Sequence, residues 1–231
     1  MVDKPTVGIY TISLGVSIPD LFEQYVDVWW QRIAEMGPLP DQVVVSYYEP
    51  DTAGVTRIDE QPLPFTFTGL PFSPGTRIAD LLNAAIDATD TDWVLFCGLD
   101  DEMLPDALTE IPEAEADGAE VLASGVRFSS GGTWMGRWEP HRLRSAPTLP
   151  AHSPIRKSAW SRVGGFDEMH YHDWGLWLKF AKHNVRAFQG TKPTVVFHAG
   201  ENHETRSGAL FANHEEAKRE VLNYADSLKL P

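Results

Sequence analysis

The sequence predicts an α/β fold: a mostly parallel central sheet flanked by helices, with a small antiparallel hairpin late in the chain. Three observations carry this. Residues 7 to 51 read as strand, amphipathic helix and strand, a unit that implies parallel strands joined by a right-handed crossover. Trp93-Val94-Leu95-Phe96-Cys97 is a continuous apolar run bounded by turn and polar signals, the pattern of a strand buried on both faces. Val121 to Phe128, Gly131-Gly132 and Trp134 to Trp138 read as strand, turn and second hairpin arm.

In order, Val7 to Ile12 is β-rich and opens into Ser13-Leu14-Gly15. Pro19 starts a helix, with Asp20 and Glu23 in its first turn. Leu21, Tyr25, Val28, Trp29 and Ile33 follow at helical spacing, and Gly37-Pro38 ends the helix. Trp29 and Trp30 point different ways, so one is expected to be partly exposed. Gln42 to Tyr48 is the second strand and ends in Glu49-Pro50-Asp51. Residues 52 to 72 read as short, Pro-rich and β-leaning, with a third strand at Phe65-Thr66-Phe67. Arg77 leads into a helix with Ile78, Leu81, Leu82, Ala85 and Ile86 on its apolar face and Asn83 beside it. The Trp93–Cys97 strand is next, then a helix from Pro105 to about residue 116. Residues 139 to 154 form a Pro-rich loop carrying His141, Arg142 and Arg144. Ser158 to Val163 is a short helix, and Gly164-Gly165-Phe166-Asp167-Glu168 a turn with an aromatic plug. His170-Tyr171-His172-Asp173 precedes a helix with Trp174, Trp177, Leu178 and Ala181 on one face. Thr194 to Phe197 is a late strand ending at His198, and Ala209 to Leu228 a final amphipathic helix.

Composition narrows the function. The chain has 231 residues, 42% hydrophobic and 23% charged, enough for one substantial core. Its formal net charge of -14 argues against non-specific DNA or RNA binding, which needs a basic surface. The single cysteine, Cys97, excludes a disulfide framework and reads as a small buried hydrophobe. No stretch approaches the roughly 18 apolar residues of a membrane span, and the N-terminus lacks the pattern of a signal peptide. A soluble, cytoplasmic protein is the expectation.

Three groups of residues can carry chemistry. Asp100-Asp101-Glu102 follow the buried strand, where open α/β sheets place ligands; they could hold a divalent cation against phosphate or simply favour a helix start. Asp173 is either a helix N-cap or a general base. His198 ends an apolar strand, as a structural residue or a ligand. His170, His172 and His203 bring zinc to mind, but the spacings match no compact zinc motif.

The ordered set resembles a family 2 glycosyltransferase of the GT-A fold, over roughly residues 6 to 200. The resemblance rests on Asn83, the Trp93–Cys97 strand with Gly98-Leu99-Asp100-Asp101, the turn Gly164 to Glu168, Asp173-Trp174, and His198. It implies a single GT-A-like domain over 1–231 with a Rossmann-like sheet. A nucleotide-sugar half would span about 6–102, an acceptor half about 103–208, and a C-terminal helix about 209–228. It implies an inverting, metal-dependent transferase using a nucleotide-diphosphate sugar, a UDP-sugar by preference, with Mn²⁺ or Mg²⁺. Asp173 would be the base. Asp100, Glu102 and His198 would bind the metal, and an imidazole ligand favours manganese. Thr11, Ile12, Ser13, Glu49, Asp51, Arg77, Asn83, Leu99 and Asp100 would meet the donor. The chain departs from the family at Gly98, where the first motif Asp is expected, at Leu82 for an Arg, and at His172 for a Glu. A catalytically inactive GT-A-like module binding carbohydrate or protein is the alternative. A nucleotidyltransferase fits less well, because Gly8 to Gly15 contains no Lys or Arg. The acceptor is open between a glycan, a protein and a modified nucleobase. Residues 139–153 and 201–207 are the expected lids, with Arg206 among their cations. The apolar face of the last helix, with Phe211, Ala217, Val221, Leu222 and Leu228, suits packing on the sheet or a homodimer.

Overall fold

The computed structural model describes residues 4–13, 21–198 and 214–230, with side chains from residue 25 in the first helix and 215 in the last. Among the described residues nine strands form one sheet. Strand β1 (Val7–Ile12) lies parallel between β2 (Gln42–Tyr48) and β4 (Trp93–Phe96), and β2 pairs parallel with β3 (Thr66–Phe72). The chain thus steps outward from β1 and then returns to its other side. That reversal opens a crevice at the carboxyl ends of β1 and β4, where doubly wound sheets bind ligands.

Beyond β4 the sheet continues through β8 (Ile155–Arg156), β6 (Val121–Phe128), β9 (Ala187–Phe197) and β5 (Glu102–Met103). β8 is antiparallel to both β4 and β6, while β6 and β9 are parallel. The predicted hairpin is present: β7 (Thr133–Met135) pairs antiparallel with β6.

Strand alternation sorts side chains into two cores. Ile9, Val43, Val45, Trp93 and Leu95 face α1 (Leu21–Ala34), α2 (Thr52–Asp59) and α4 (Ile111–Ala116). Tyr10, Val44 and Val94 face α3 (Ile78–Asp87), α6 (His172–Lys182) and α7 (His214–Ser227). The short α5 (Lys157–Arg162) buries Ala159 and Trp160. Each large side chain so buried contributes about 1.5–3 kcal/mol. Trp29 is buried and Trp30 half-buried, as their divergent directions require. Among the described residues no helix is long and apolar enough to cross a membrane.

Three expectations are corrected. Residues 52–59 are helical, not β-leaning: Val55 and Ile58 reach the core at i,i+3 spacing, too few turns to leave a stripe in the sequence. Pro105 opens a series of turns, and the helix forms only from Ile111. β9 begins at Ala187, well before Thr194; its first half is mostly half-buried and its pairing with β6 irregular, which hides the alternation.

The Gly164–Glu168 turn is an internal clamp. Gly164 and Gly165 take φ of 79° and 71°, a region that favours glycine. A Cβ at Gly165 would also stand 2.6 Å from Asn83 Oδ1. Asn83 donates to the Phe166 carbonyl at 2.9 Å and accepts the Phe166 N–H at 2.8 Å. Glu168 accepts the Ala79 N–H at the start of α3. Lys179 of α6 donates to the Gly165 carbonyl and pairs with Asp167 at 2.7 Å. The turn therefore ties α3 to α6. Asn83→Ala removes both bonds to Phe166 and is expected to cost about 2 kcal/mol; urea denaturation followed by circular dichroism checks this.

Candidate functional site

A cleft of about 420 Å³ occupies the crevice beside β1 and β4. β1 contributes Tyr10 and Ile12, and the end of β4 contributes Phe96, Gly98, Leu99, Asp100 and Asp101. The 147–153 loop forms another wall, and the first turn of α6 brings Asp173.

Asp101 anchors the cleft. Its Oδ2 lies 2.7 Å from His152 Nε2, and the two side chains are only 4% and 5% exposed. Its Oδ1 accepts the His198 backbone N–H at 3.3 Å. His152 Nδ1 has no hydrogen-bond partner among the described residues. The glycine at the head of the acid motif follows from this packing. A Cβ on Gly98 would lie 2.7 Å from Asp101 Oδ2 and 3.0 Å from Asp100 Oδ1. The carboxylates that follow fold back over the place where a first motif acid would project.

Asp100 sits beside this pair. Burial, and then the charge of Asp101, push its pKa up to about 6. Asp173 is also raised, by burial; the Trp174 and Asp173 amides at the start of α6, and His152, oppose the shift. Tyr10 is raised by burial and by Asp173, which places its hydroxyl near that carboxylate. Asp100, Asp173 and His152 thus share one electrostatic environment, although they come from a strand end, a helix start and a loop. Such a site can take a proton from a hydroxyl at Asp173 and present a carboxylate to a cation at Asp100.

The metal set is only partly assembled. His198 Nε2 lies 3.2 Å from Glu102 Oε1, and Glu102 Oε2 lies 3.9 Å from Arg32 Nε. Glu102 belongs to β5, whose pairing with β9 directs it to these partners; it does not line the cleft. Among the described residues no three His, Cys, Asp or Glu side chains converge to hold a metal ion. Glu102 thus stands apart from Asp100, whereas the charge of His198 reaches Asp100 and opposes the rise in its pKa.

The donor residues divide in the same way. Ile12, Leu99 and Asp100 line the cleft. Thr11 does not: alternation along β1 turns it to the opposite face, fully buried, and Tyr10 lines the cleft instead. Ser13 Oγ donates to Asp51 and accepts the Tyr48 N–H at 3.1 Å, so Asp51 is buried across the ends of β1 and β2. Glu49 is exposed beside it. Arg77 is exposed and pairs with Asp80 at 2.7 Å, and Asn83 serves the clamp. Of the loop cations, Arg142 pairs with Glu139 and Arg144 with Asp226, and neither lines the cleft. Residues 201–207, with His203 and Arg206, and Phe211 lie outside the described residues. His152 was not singled out in the sequence. A lone His in a Pro-rich loop carries no signal of its own, since its partner is 51 residues away.

No protein-family model and no curated protein matches the sequence significantly. Solved structures do match. TarS 1-349 of S. aureus in complex with UDP-GlcNAc aligns with a TM-score of 0.71 at 14% identity, over 96% of this chain and 66% of that one. The mannosyltransferase PcManGT of Pyrobaculum calidifontis, in complex with GDP-Man and Mn²⁺, aligns with a TM-score of 0.65 at 16% identity, over 98% and 74%. The fold is that of GT-A glycosyltransferases.

The shift at Asp100 has a consequence for stability without metal. Its folded pKa is raised, so between about pH 4 and 6 the folded chain binds more protons than the unfolded one. Stability contributed by this group falls as pH rises through that window. Asp100→Asn removes the effect and is expected to raise Tm by several degrees at about pH 7, with a smaller gain at about pH 5. Calorimetry in EDTA at the two pH values measures it.

Proposed function

We propose that this chain is an inverting, metal-dependent glycosyltransferase that moves a sugar from a nucleotide-diphosphate donor, a UDP-sugar, to an acceptor hydroxyl. The observation that carries the reading is the convergence of Asp173 and Asp100 on one cleft at the β1/β4 switch point. The complexes of TarS with UDP-GlcNAc and of PcManGT with GDP-Man and Mn²⁺ support a nucleotide-sugar donor on this fold.

Asp173 takes the proton from the acceptor hydroxyl. Burial raises its pKa, which strengthens it as a base. The hydroxyl oxygen forms a bond to the anomeric carbon as the bond to the diphosphate breaks. Attack from the face opposite the leaving group inverts that carbon. Ser13 and Asp51, at the ends of β1 and β2, meet the base or ribose, with Ile12 and Leu99 against them.

Asp100 fits a divalent cation. A hard cation takes carboxylate oxygen, and the repulsion from Asp101 that raises Asp100 is relieved by positive charge. Asp101 is committed to His152, which leaves Asp100 as the ligand, with His198 near the same turn. When bound, the cation offsets the charge of the departing nucleoside diphosphate. Manganese is favoured over magnesium if the His198 imidazole joins the shell.

Asp173→Asn is expected to lower turnover by about 10²–10⁴-fold with donor affinity little changed. The assay is nucleotide release from a panel of UDP- and GDP-sugars with Mn²⁺, alongside donor binding by calorimetry. Silence with every donor, or an undiminished rate in the variant, contradicts the reading.

A further inference from the structure

We infer that the acceptor is a neutral hydroxyl compound with an aromatic body, of the aryl-glycoside or phenol class, and that it lies along a row of rings on the cleft wall. The inference rests on the glycosyltransferase reading and names the acceptor for that site.

The first observation is the row itself. Tyr10 and Phe96 have ring centroids 5.5 Å apart, Phe96 and His152 5.7 Å, His152 and Phe197 5.7 Å, and Phe197 and Phe128 6.1 Å. These are the spacings of packed aromatic pairs. The row crosses from β1 over β4 to β9 and β6. It therefore leads away from β2 and from the buried Ser13–Asp51 pair at the ends of β1 and β2, the side to which the proposed function assigns the nucleotide. Phe96, Phe128 and Phe197 are only half-buried, and all three line the cleft. Trp134 on β7 extends the same wall. The ring planes are tilted by 38° to 67° from one to the next, so an aromatic ring on this wall can pack against both faces and edges, the arrangements aromatic pairs prefer.

The second observation is charge. Among the described residues that line the cleft there is no Lys or Arg; Asp100, Asp101 and Asp173 line it, and its three histidines each face a carboxylate, His152 that of Asp101, His170 that of Glu220 and His172 that of Glu168. The two arginines of the neighbouring loop are engaged by Glu139 and Asp226. A phosphate or carboxylate on the acceptor would meet acids in a poorly solvated space, where like charges repel strongly. The cation that the proposed function assigns to Asp100 would be taken up by the donor diphosphate. Wall and charge together select a neutral, ring-bearing acceptor and reject an anionic one.

The test uses three probes of one sugar: phenyl β-glucoside, methyl β-glucoside and phenyl β-glucoside 6-phosphate. Binding to the full chain is measured by calorimetry, and nucleotide release is measured in parallel with Mn²⁺ and the donor panel. Phenyl β-glucoside is expected to bind at least about tenfold more tightly than either of the other two. Trp134→Ala should remove most of the advantage over the methyl glycoside. Phe128→Arg should shift the ratio of neutral to phosphorylated probe at least about tenfold towards the phosphate. Circular dichroism confirms that each variant is folded, and if Phe128→Arg fails there, Trp134→Ala carries the test. Equal binding of the phenyl and methyl glycosides, or tighter binding of the phosphorylated probe, overturns the inference. Nucleotide release that depends on Asp173 but shows no phenyl preference overturns the acceptor class alone. Phenyl preference with no release from any donor supports the ring wall and overturns the transferase reading beneath it.

Discussion

A carboxyl group that is 4% exposed must find its partners inside the protein, and Asp101 finds them in two other segments. Its own turn follows β4. The Pro-rich loop supplies His152, and the end of β9 supplies the His198 amide. Leaving such a group without a partner is costly; removing one side of a buried pair typically costs about 3–5 kcal/mol. The interaction therefore holds the loop and the late strand against the switch point of the sheet. It also accounts for Gly98, because the turn closes only where no side chain projects from that position.

A second tie sets the opposite wall. The Gly164–Glu168 turn spends its polar groups on Asn83, Ala79 and Lys179, so α3 and α6 keep a set relation to each other. Asp173 rides on the first turn of α6 and is carried to the cleft by that relation. The two ties together account for acids that stand close despite their distance in sequence. They also account for the electrostatic strain at Asp100, which is near a second carboxylate with no lysine or arginine among the described residues of the cleft wall.

Much of this was legible in the sequence. The buried strands β1 and β2 are β-rich runs and β4 an unbroken apolar one, and the acids that follow β2 and β4 announce the crevice. The turn Gly164 to Glu168 stands out in the sequence, although that it is a clamp, and that it sets the place of Asp173, needs the structure. What escaped was long-range or short. His152 has meaning only through Asp101. The two-residue strands β5 and β8 are too brief to show a period, and the pairing of β5 decides the fate of Glu102. Thr11 was misjudged by one residue, and in a strand one residue exchanges faces. The ring row is assembled from five separate segments, so no local pattern betrays it.

The central claim is that Asp100 presents a cation, and with it a nucleoside diphosphate, to the cleft that also holds Asp173. Anomalous diffraction from crystals grown with Mn²⁺ and UDP tests it most directly. The account predicts a manganese peak in contact with the Asp100 carboxylate, bridged to the diphosphate, with the nucleoside towards Ser13 and Asp51. A nucleotide bound elsewhere, or manganese bound away from Asp100, would contradict it.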